Sequence, residues 1–140
     1  MRYEKSCGFI VYEEIDAKRF YLLIRSVNGD YGFPKGHMED KETEYETAVR
    51  ELKEETNLEV RLVEGFRRQI EYLLPKKTNV KKQSVYFLGK RKNDDMICQE
   101  SEVLEAAFVP FEEAIRMLPF DDAKEILKDA DVYLESMLQR

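Results

Sequence analysis

The stretch from Gly36 to Leu58, GHMEDKETEYETAVRELKEETNL, constrains this chain more than any other. At roughly 100° per residue, a helix over Thr43 to Thr56 gathers Tyr45, Ala48, Val49 and Leu52 into one apolar stripe, at the spacing of a face that packs on something. Glu44, Glu51 and Glu55 fall together beside that stripe, with Glu54 on its outer flank. Carboxylates grouped at a boundary between core and solvent repel one another, and a hard divalent cation is the usual partner that offsets this. Mg²⁺ is the natural candidate, because it accepts a few carboxylates, keeps waters and bridges to substrate phosphates; Mn²⁺ is the alternative. A Glu-rich helix face by itself is more often only solvated surface, so the weight falls on the spacing of the whole stretch.

A chain of 140 residues fits one domain, 1–140, with room for a core that needs no disulfide or metal staple. Its 23 basic and 29 acidic residues give a net charge of −6, which argues against duplex nucleic acid as a partner but allows a small phosphorylated substrate to meet a local basic patch. Cys7 and Cys98 are far apart and form no CxxC pair, so no disulfide framework is indicated. The first residues, MRYEKSCGFI, lack the apolar run and cleavage site of a signal peptide, and no stretch approaches the roughly 18 apolar residues of a membrane span. The expected location is the cytoplasm, with no membrane partner.

Lys5–Tyr12 and Arg19–Arg25 read as strands, and the charged EEIDAK between them as their turn. SVNGDYGFPKG, with Gly29, Gly32, Pro34 and Gly36, reads as a loop leading into the acidic helix. Beyond the helix, Leu58–Val63 and Phe66–Leu74 alternate as two strands joined near Glu64-Gly65, and PKKTNVKK follows as a basic loop. Gln83–Gly89 is a further strand and Ala106–Val109 a short one. Pro110 suits a helix start, with Phe111, Ala114, Ile115 and Leu118 on one face. A last helix from about Asp121 carries Ile126, Ala130, Tyr133 and Met137 at helical spacing. The pattern predicts a mixed α/β fold with helices flanking a sheet.

Gly36, Glu42, Arg50, Glu51, Leu52, Glu54, Glu55 and Leu58 stand at the spacing of the signature of the Nudix hydrolases, and the chain resembles that superfamily. Asn57 stands where the signature has Gly; the position falls just past the helix end, where a left-handed backbone is common and Asn tolerates it best after Gly. The resemblance implies an α/β/α sandwich around a mixed sheet, with the signature helix and the loop before it at the active site. It implies a hydrolase of pyrophosphate linkages, in which Glu51, Glu54 and Glu55 bind metal and the Gly36 carbonyl is a further ligand. Either Glu51 or Glu55 would orient or deprotonate the attacking water, and Arg50 would hold a motif glutamate by an ion pair. Glu42 reads as structural. Family members often draw a further acid from a later loop; here Glu100, Glu102 and Glu105 are available, and Glu102 is favoured by its distance upstream of FVPFEEA.

SCGFIVY, FYLLIR, FPKGHME, EGFRRQIEY and KKQSVYFLGK resemble segments of the asymmetric diadenosine tetraphosphate hydrolases within that superfamily. The same residues make sense as a polyphosphate grip. Lys35 and His37 flank Gly36, where an ammonium and a ring N–H would reach phosphate oxygens. Lys81 and Lys82 precede a strand and offer further cations, of which Lys82 is the candidate phosphate contact. Tyr72 would stack on a base, and Phe120 in the LPFDD turn would add a second aromatic wall. The expected reaction is cleavage of diadenosine tetraphosphate to ATP and AMP. The other readings are a Nudix pyrophosphatase for a nucleoside triphosphate, an inositol pyrophosphate or an RNA 5′ end, and a non-catalytic nucleotide-binding domain.

Overall fold

Alternate residues along the first strand face opposite sides of one sheet, and each side has its own helices. The computed structural model describes residues 2–74, 77–98 and 103–138. In chain order the elements are β1 (Arg2–Ile15), β2 (Lys18–Ser26), β3 (Tyr31–Gly32), β4 (Lys35–His37), α1 (Glu44–Thr56), β5 (Val60–Leu74), β6 (Lys77–Arg91), β7 (Val103–Pro110), α2 (Phe111–Met117) and α3 (Asp121–Leu138). Cys7, Phe9 and Val11 of β1 pack with Ala48 and Leu52 of α1. Ile10 and Tyr12 pack on the opposite side with Ala114 and Leu118 from the α2 segment and Ile126, Leu127, Ala130 and Leu134 of α3. The period of two along the strand thus divides the core into two layers, one per face.

The sheet is mixed. β1 runs parallel to β6 from Arg2↔Val80 to Tyr12↔Lys90, and β5 closes one side antiparallel to β6. On its other side β1 is shared: Ser6–Gly8 pair with β4, and Tyr12–Ile15 pair with β2. β2 in turn carries β3 and β7, both antiparallel. The β1–β2 connection is narrower than the charged run suggested, since only Asp16 and Ala17 lie between the paired Ile15 and Lys18. Both adopt positive φ, 51° and 65°, as a tight two-residue hairpin requires.

Several expectations need correction. The loop from Ser26 to Gly36 contains β3 and β4, two short strands that form because β1 and β2 offer them unpaired edges. Leu58–Val63 and Phe66–Leu74 are one strand, β5, bent where its register shifts between Leu62 and Arg67; Gly65 supplies the positive φ of 89° at that bulge. The basic loop is mostly strand, since β6 begins at Lys77 and pairs with β5 along its length. In α3, Ile126 and Ala130 are buried as expected, but Met137 is exposed and Leu127 and Leu134 complete the face.

The acidic helix starts and stops as its sequence dictates. Thr43 accepts from the Glu46 amide at 3.1 Å while Glu46 accepts from the Thr43 amide at 2.9 Å, a reciprocal cap that satisfies two orphan donors. Asn57 ends it at φ 63°, donating its amide to the Lys53 carbonyl at 2.9 Å. The buried face is rotated from the apolar stripe: Ala48 and Leu52 are inside, but so are Thr47, Glu55 and Thr56, whereas Tyr45 and Val49 are exposed. Tyr45 still packs its ring edge-on against Phe9 and Phe87. That rotation turns Glu55 inward. Among the described residues no helix is long and apolar enough to cross a membrane.

Candidate active site

Two close backbone approaches build the site. Gly8 of β1 has no Cβ, and one placed there would overlap the Pro34 carbonyl, so β4 comes against β1 only because this residue is glycine. The Phe9 amide donates to the Pro34 carbonyl at 3.2 Å, and Gly36 pairs with Cys7. β4 therefore carries Lys35, Gly36 and His37 past the start of α1. There the Glu51 carboxylate lies against Gly36, in the space a Cβ would take.

Arg50 organises the acids. Its Nε donates to Glu42 at 2.7 Å and its Nη2 to the other Glu42 oxygen at 3.0 Å, a bidentate fork that an ammonium cannot reproduce. Nη1 donates to Glu51 at 2.9 Å and to Glu54 at 3.2 Å, and Nη2 also reaches the His37 carbonyl at 3.0 Å. One guanidinium thus gathers Glu42, Glu51, Glu54 and β4. Glu42 also accepts from the Glu39 amide and the Thr47 hydroxyl, each at 2.9 Å. These contacts, chiefly those from Arg50, hold the Glu42 carboxyl down at about 2, so its charge is committed within the fold.

Glu55 lies one helical turn beyond Glu51 and is only 6% exposed, on the wall of a cleft of about 620 Å³. Lys35, Tyr72, Lys82 and Phe120 line the same cleft. Residues brought from β4, β5, β6 and the turn before α3 therefore meet in one place, although the sequence separates them widely. Burial, and then the charge of Lys82, lower the Lys35 ammonium to about 8, partly opposed by Asp122 and Glu55. Tyr72 is 39% exposed, and its phenol is shifted upward, chiefly by the burial of its inner edge. Phe120 is 59% exposed at the rim.

His37 is exposed and does not line the cleft; what β4 contributes at this position is the backbone carbonyl that Arg50 holds. Glu102 and Glu100 lie outside the described residues. Glu105 accepts from the Tyr31 hydroxyl at 2.6 Å, which commits it to bracing β3 against β7. Lys81 is paired with Glu71 at 3.2 Å. Ser84, Tyr86 and Asp122 also line the cleft and were not singled out from the sequence. A period of two along β6 from Lys82 would have found the first two.

The donor set fits a hard divalent cation. Glu51, Glu54 and Glu55 offer oxygen ligands from one stretch of helix, beside the backbone of Gly36. Among the described residues no three acid, histidine or cysteine side chains already form a closed cage, because Glu51 and Glu54 both turn onto Arg50. An open, carboxylate-rich shelf beside a cleft that carries Lys35 and Lys82 suits an ion that keeps its waters and shares ligands with phosphates.

The comparisons make this chain a hydrolase of phosphorus-containing anhydrides, a class that the fold and the acidic shelf suit. A NUDIX domain model matches residues 4–130, and the chain belongs to that family. Nudix hydrolases generally use divalent metal ions. The chain is similar to the asymmetrical bis(5′-nucleosyl)-tetraphosphatases of the rat Rattus norvegicus, 30% identical over 142 residues (93% of this chain, 95% of the relative), and of the pig Sus scrofa, 29% over 145 residues (95% and 97%). Its fold superposes on a crystal structure of a Caenorhabditis elegans Ap4A hydrolase binary complex with a TM-score of 0.87 at 25% identity, covering 95% of this chain and 98% of that one.

Proposed function

We propose that this chain hydrolyses diadenosine tetraphosphate asymmetrically, to ATP and AMP, with Mg²⁺ as cofactor. The observation that carries this reading is the cleft of about 620 Å³ in which Lys35 and Lys82 share walls with Tyr72, Phe120 and Glu55. A volume of this order fits a nucleotide-sized ligand. Two cations suit a long polyphosphate, and two aromatic rings suit a base, so the lining matches a nucleoside polyphosphate better than an inositol pyrophosphate, which has no base to stack. The similarity over nearly the full length of tetraphosphatase relatives supports the same substrate.

Lys35 and Lys82 neutralise phosphate oxygens, while Tyr72 and Phe120 hold one adenine. Glu51, Glu54, Glu55 and the Gly36 carbonyl would hold the metal, which supplies positive charge at the reacting phosphate and lowers the pKa of its bound water. Glu51 or Glu55 takes the proton of the attacking water. The water oxygen bonds to a phosphorus of the bridge, the P–O bond to the departing phosphate breaks, and the two products together carry the atoms of substrate and water. Arg50 keeps Glu51 and Glu54 in register, and Glu42 keeps Arg50 in place.

The test is kcat/KM with Mg²⁺ for diadenosine tetraphosphate, a nucleoside triphosphate, ADP-ribose, an inositol pyrophosphate and a 5′-triphosphorylated RNA. The reading requires the dinucleotide to be turned over most efficiently. Preference for another compound leaves the Nudix chemistry standing and removes the substrate assignment, and binding without turnover of any compound favours the nucleotide-binding reading.

A further inference from the structure

Ser84 is a polar residue in an unusual place. It is 1% exposed, at the base of the cleft, on the face of β6 that also carries Lys82 and Tyr86. Its hydroxyl oxygen accepts from the Lys35 ammonium at 3.2 Å. The phenols of Tyr72 and Tyr86 line the same cleft, and the Lys35 ammonium sits over the Tyr86 ring at 6.0 Å from its centroid. Ser84 pairs across the sheet with Ile70, one two-residue step along β5 from Tyr72. A single hydroxyl therefore ties Lys35 of β4 to β6 in the cleft that Tyr72 of β5 also lines.

Neighbouring lysines are treated differently. Lys5 donates to Glu44 at 2.7 Å, and Lys81 pairs with Glu71 at 3.2 Å. A carboxylate fixes an ammonium by cancelling its charge, whereas a hydroxyl fixes it and leaves the charge available to an anion. A hydroxyl also takes one of the three donors of the ammonium and leaves the others for phosphate oxygens. The buried serine is thus suited to aim Lys35 without spending it.

We infer that Ser84 is a positioning residue that anchors the Lys35 ammonium beside Tyr72, setting the offset between the phosphate grip and the base platform. The inference rests on the nucleoside polyphosphate reading of the cleft. Ser84 itself touches no reacting atom and acts through Lys35.

The test is a double-mutant cycle read by calorimetric affinity for diadenosine tetraphosphate in the presence of chelator, so that binding is measured without turnover. Wild type, Ser84→Ala, Lys35→Met and the double variant are compared, with circular dichroism to check folding. Loss of the hydroxyl that anchors the charged ammonium predicts an affinity about tenfold weaker for Ser84→Ala in the wild-type background. In the Lys35→Met background the same change should cost less than about twofold, because the group it positions is gone. Equal losses in both backgrounds would make Ser84 a merely structural residue, and no loss in the wild-type background would likewise overturn the inference. Should Ser84→Ala fail to fold, Ser84→Cys, similar in shape and a poorer acceptor, takes its place in the cycle.

The same cycle is run with ADP-ribose. If the wild type binds ADP-ribose and not the dinucleotide, the substrate reading fails and Ser84 stands or falls by the coupling measured there. If it binds neither, both fall.

Discussion

The Glu51 carboxylate lies against the α-carbon of Gly36, filling the volume where any other residue would carry its β-carbon. Gly36→Ala must therefore push Glu51 off its position or shift β4 away from α1. Because the strand pairing of Gly36 with Cys7 uses backbone only, the fold should survive the change. The expected result is a loss in kcat/KM of at least about 100-fold, as for a misplacement of roughly an ångström at a reacting centre, with a melting temperature only a few degrees lower. Steady-state kinetics and thermal melting check the two halves separately.

Glu55→Gln removes a charge from the cleft wall while keeping the side chain's shape. Turnover should fall by about 10² to 10⁴ with the circular dichroism spectrum unchanged, whether Glu55 binds metal or takes the water's proton. Turnover near that of wild type would remove Glu55 from the mechanism.

Tyr72→Ala should act on binding. Stacking on one base contributes about 1–3 kcal/mol, so the Michaelis constant for the dinucleotide should rise about tenfold with kcat less affected. An unchanged Michaelis constant would place the base elsewhere.

Acid stability should report Glu44. Its carboxyl is held at about 2 against an ordinary 4.5, chiefly by hydrogen bonds from Arg67, with Lys5 adding to them. A carboxyl depressed in the fold contributes stability above its unfolded value and loses it as the pH falls towards the folded one. Urea midpoints of wild type and Glu44→Gln should differ at pH 7 and converge as the pH approaches about 2. A difference of the same size at both ends would assign the effect to packing.

The cysteines should separate by reactivity. Cys7 is fully buried, and that burial, with the Glu44 charge, pushes its thiol up to about 11, whereas Cys98 is half-buried. At pH 8 an aromatic disulfide reagent should titrate one thiol quickly in the native protein and two after unfolding. Two fast thiols would show that the layer between β1 and α1 opens readily.

How far the sequence alone reaches depends on what each residue's position is made of. The C-terminal end of α1 was legible because it is local: the left-handed backbone expected at Asn57 is present at φ 63°, while Thr43, read as the first helical residue, is the cap before it. The buried face was not, because apolar periodicity counts Tyr45 and Val49 and cannot see that Thr47, Glu55 and Thr56 are the residues turned inward. β3 and β4 were read as loop because their pairing comes from β1 and β2, far away in sequence. The start of β6 was read as a basic loop because its charged side chains mask a strand that β5 stabilises by pairing. In the cleft, Lys35, Tyr72, Lys82 and Phe120 were chosen from separate segments and meet in one place. Ser84 carried no chemistry of its own in the sequence, and only its burial beside Lys35 gives it a role.

The most direct test of the account is product analysis of diadenosine tetraphosphate hydrolysis with Mg²⁺ in ¹⁸O-labelled water. The account predicts equal amounts of ATP and AMP, with one ¹⁸O in one of the two products, and complete loss of turnover with chelator. Two molecules of ADP per substrate would contradict asymmetric cleavage, and turnover that persists in chelator would contradict the metal-binding role given to Glu51, Glu54 and Glu55.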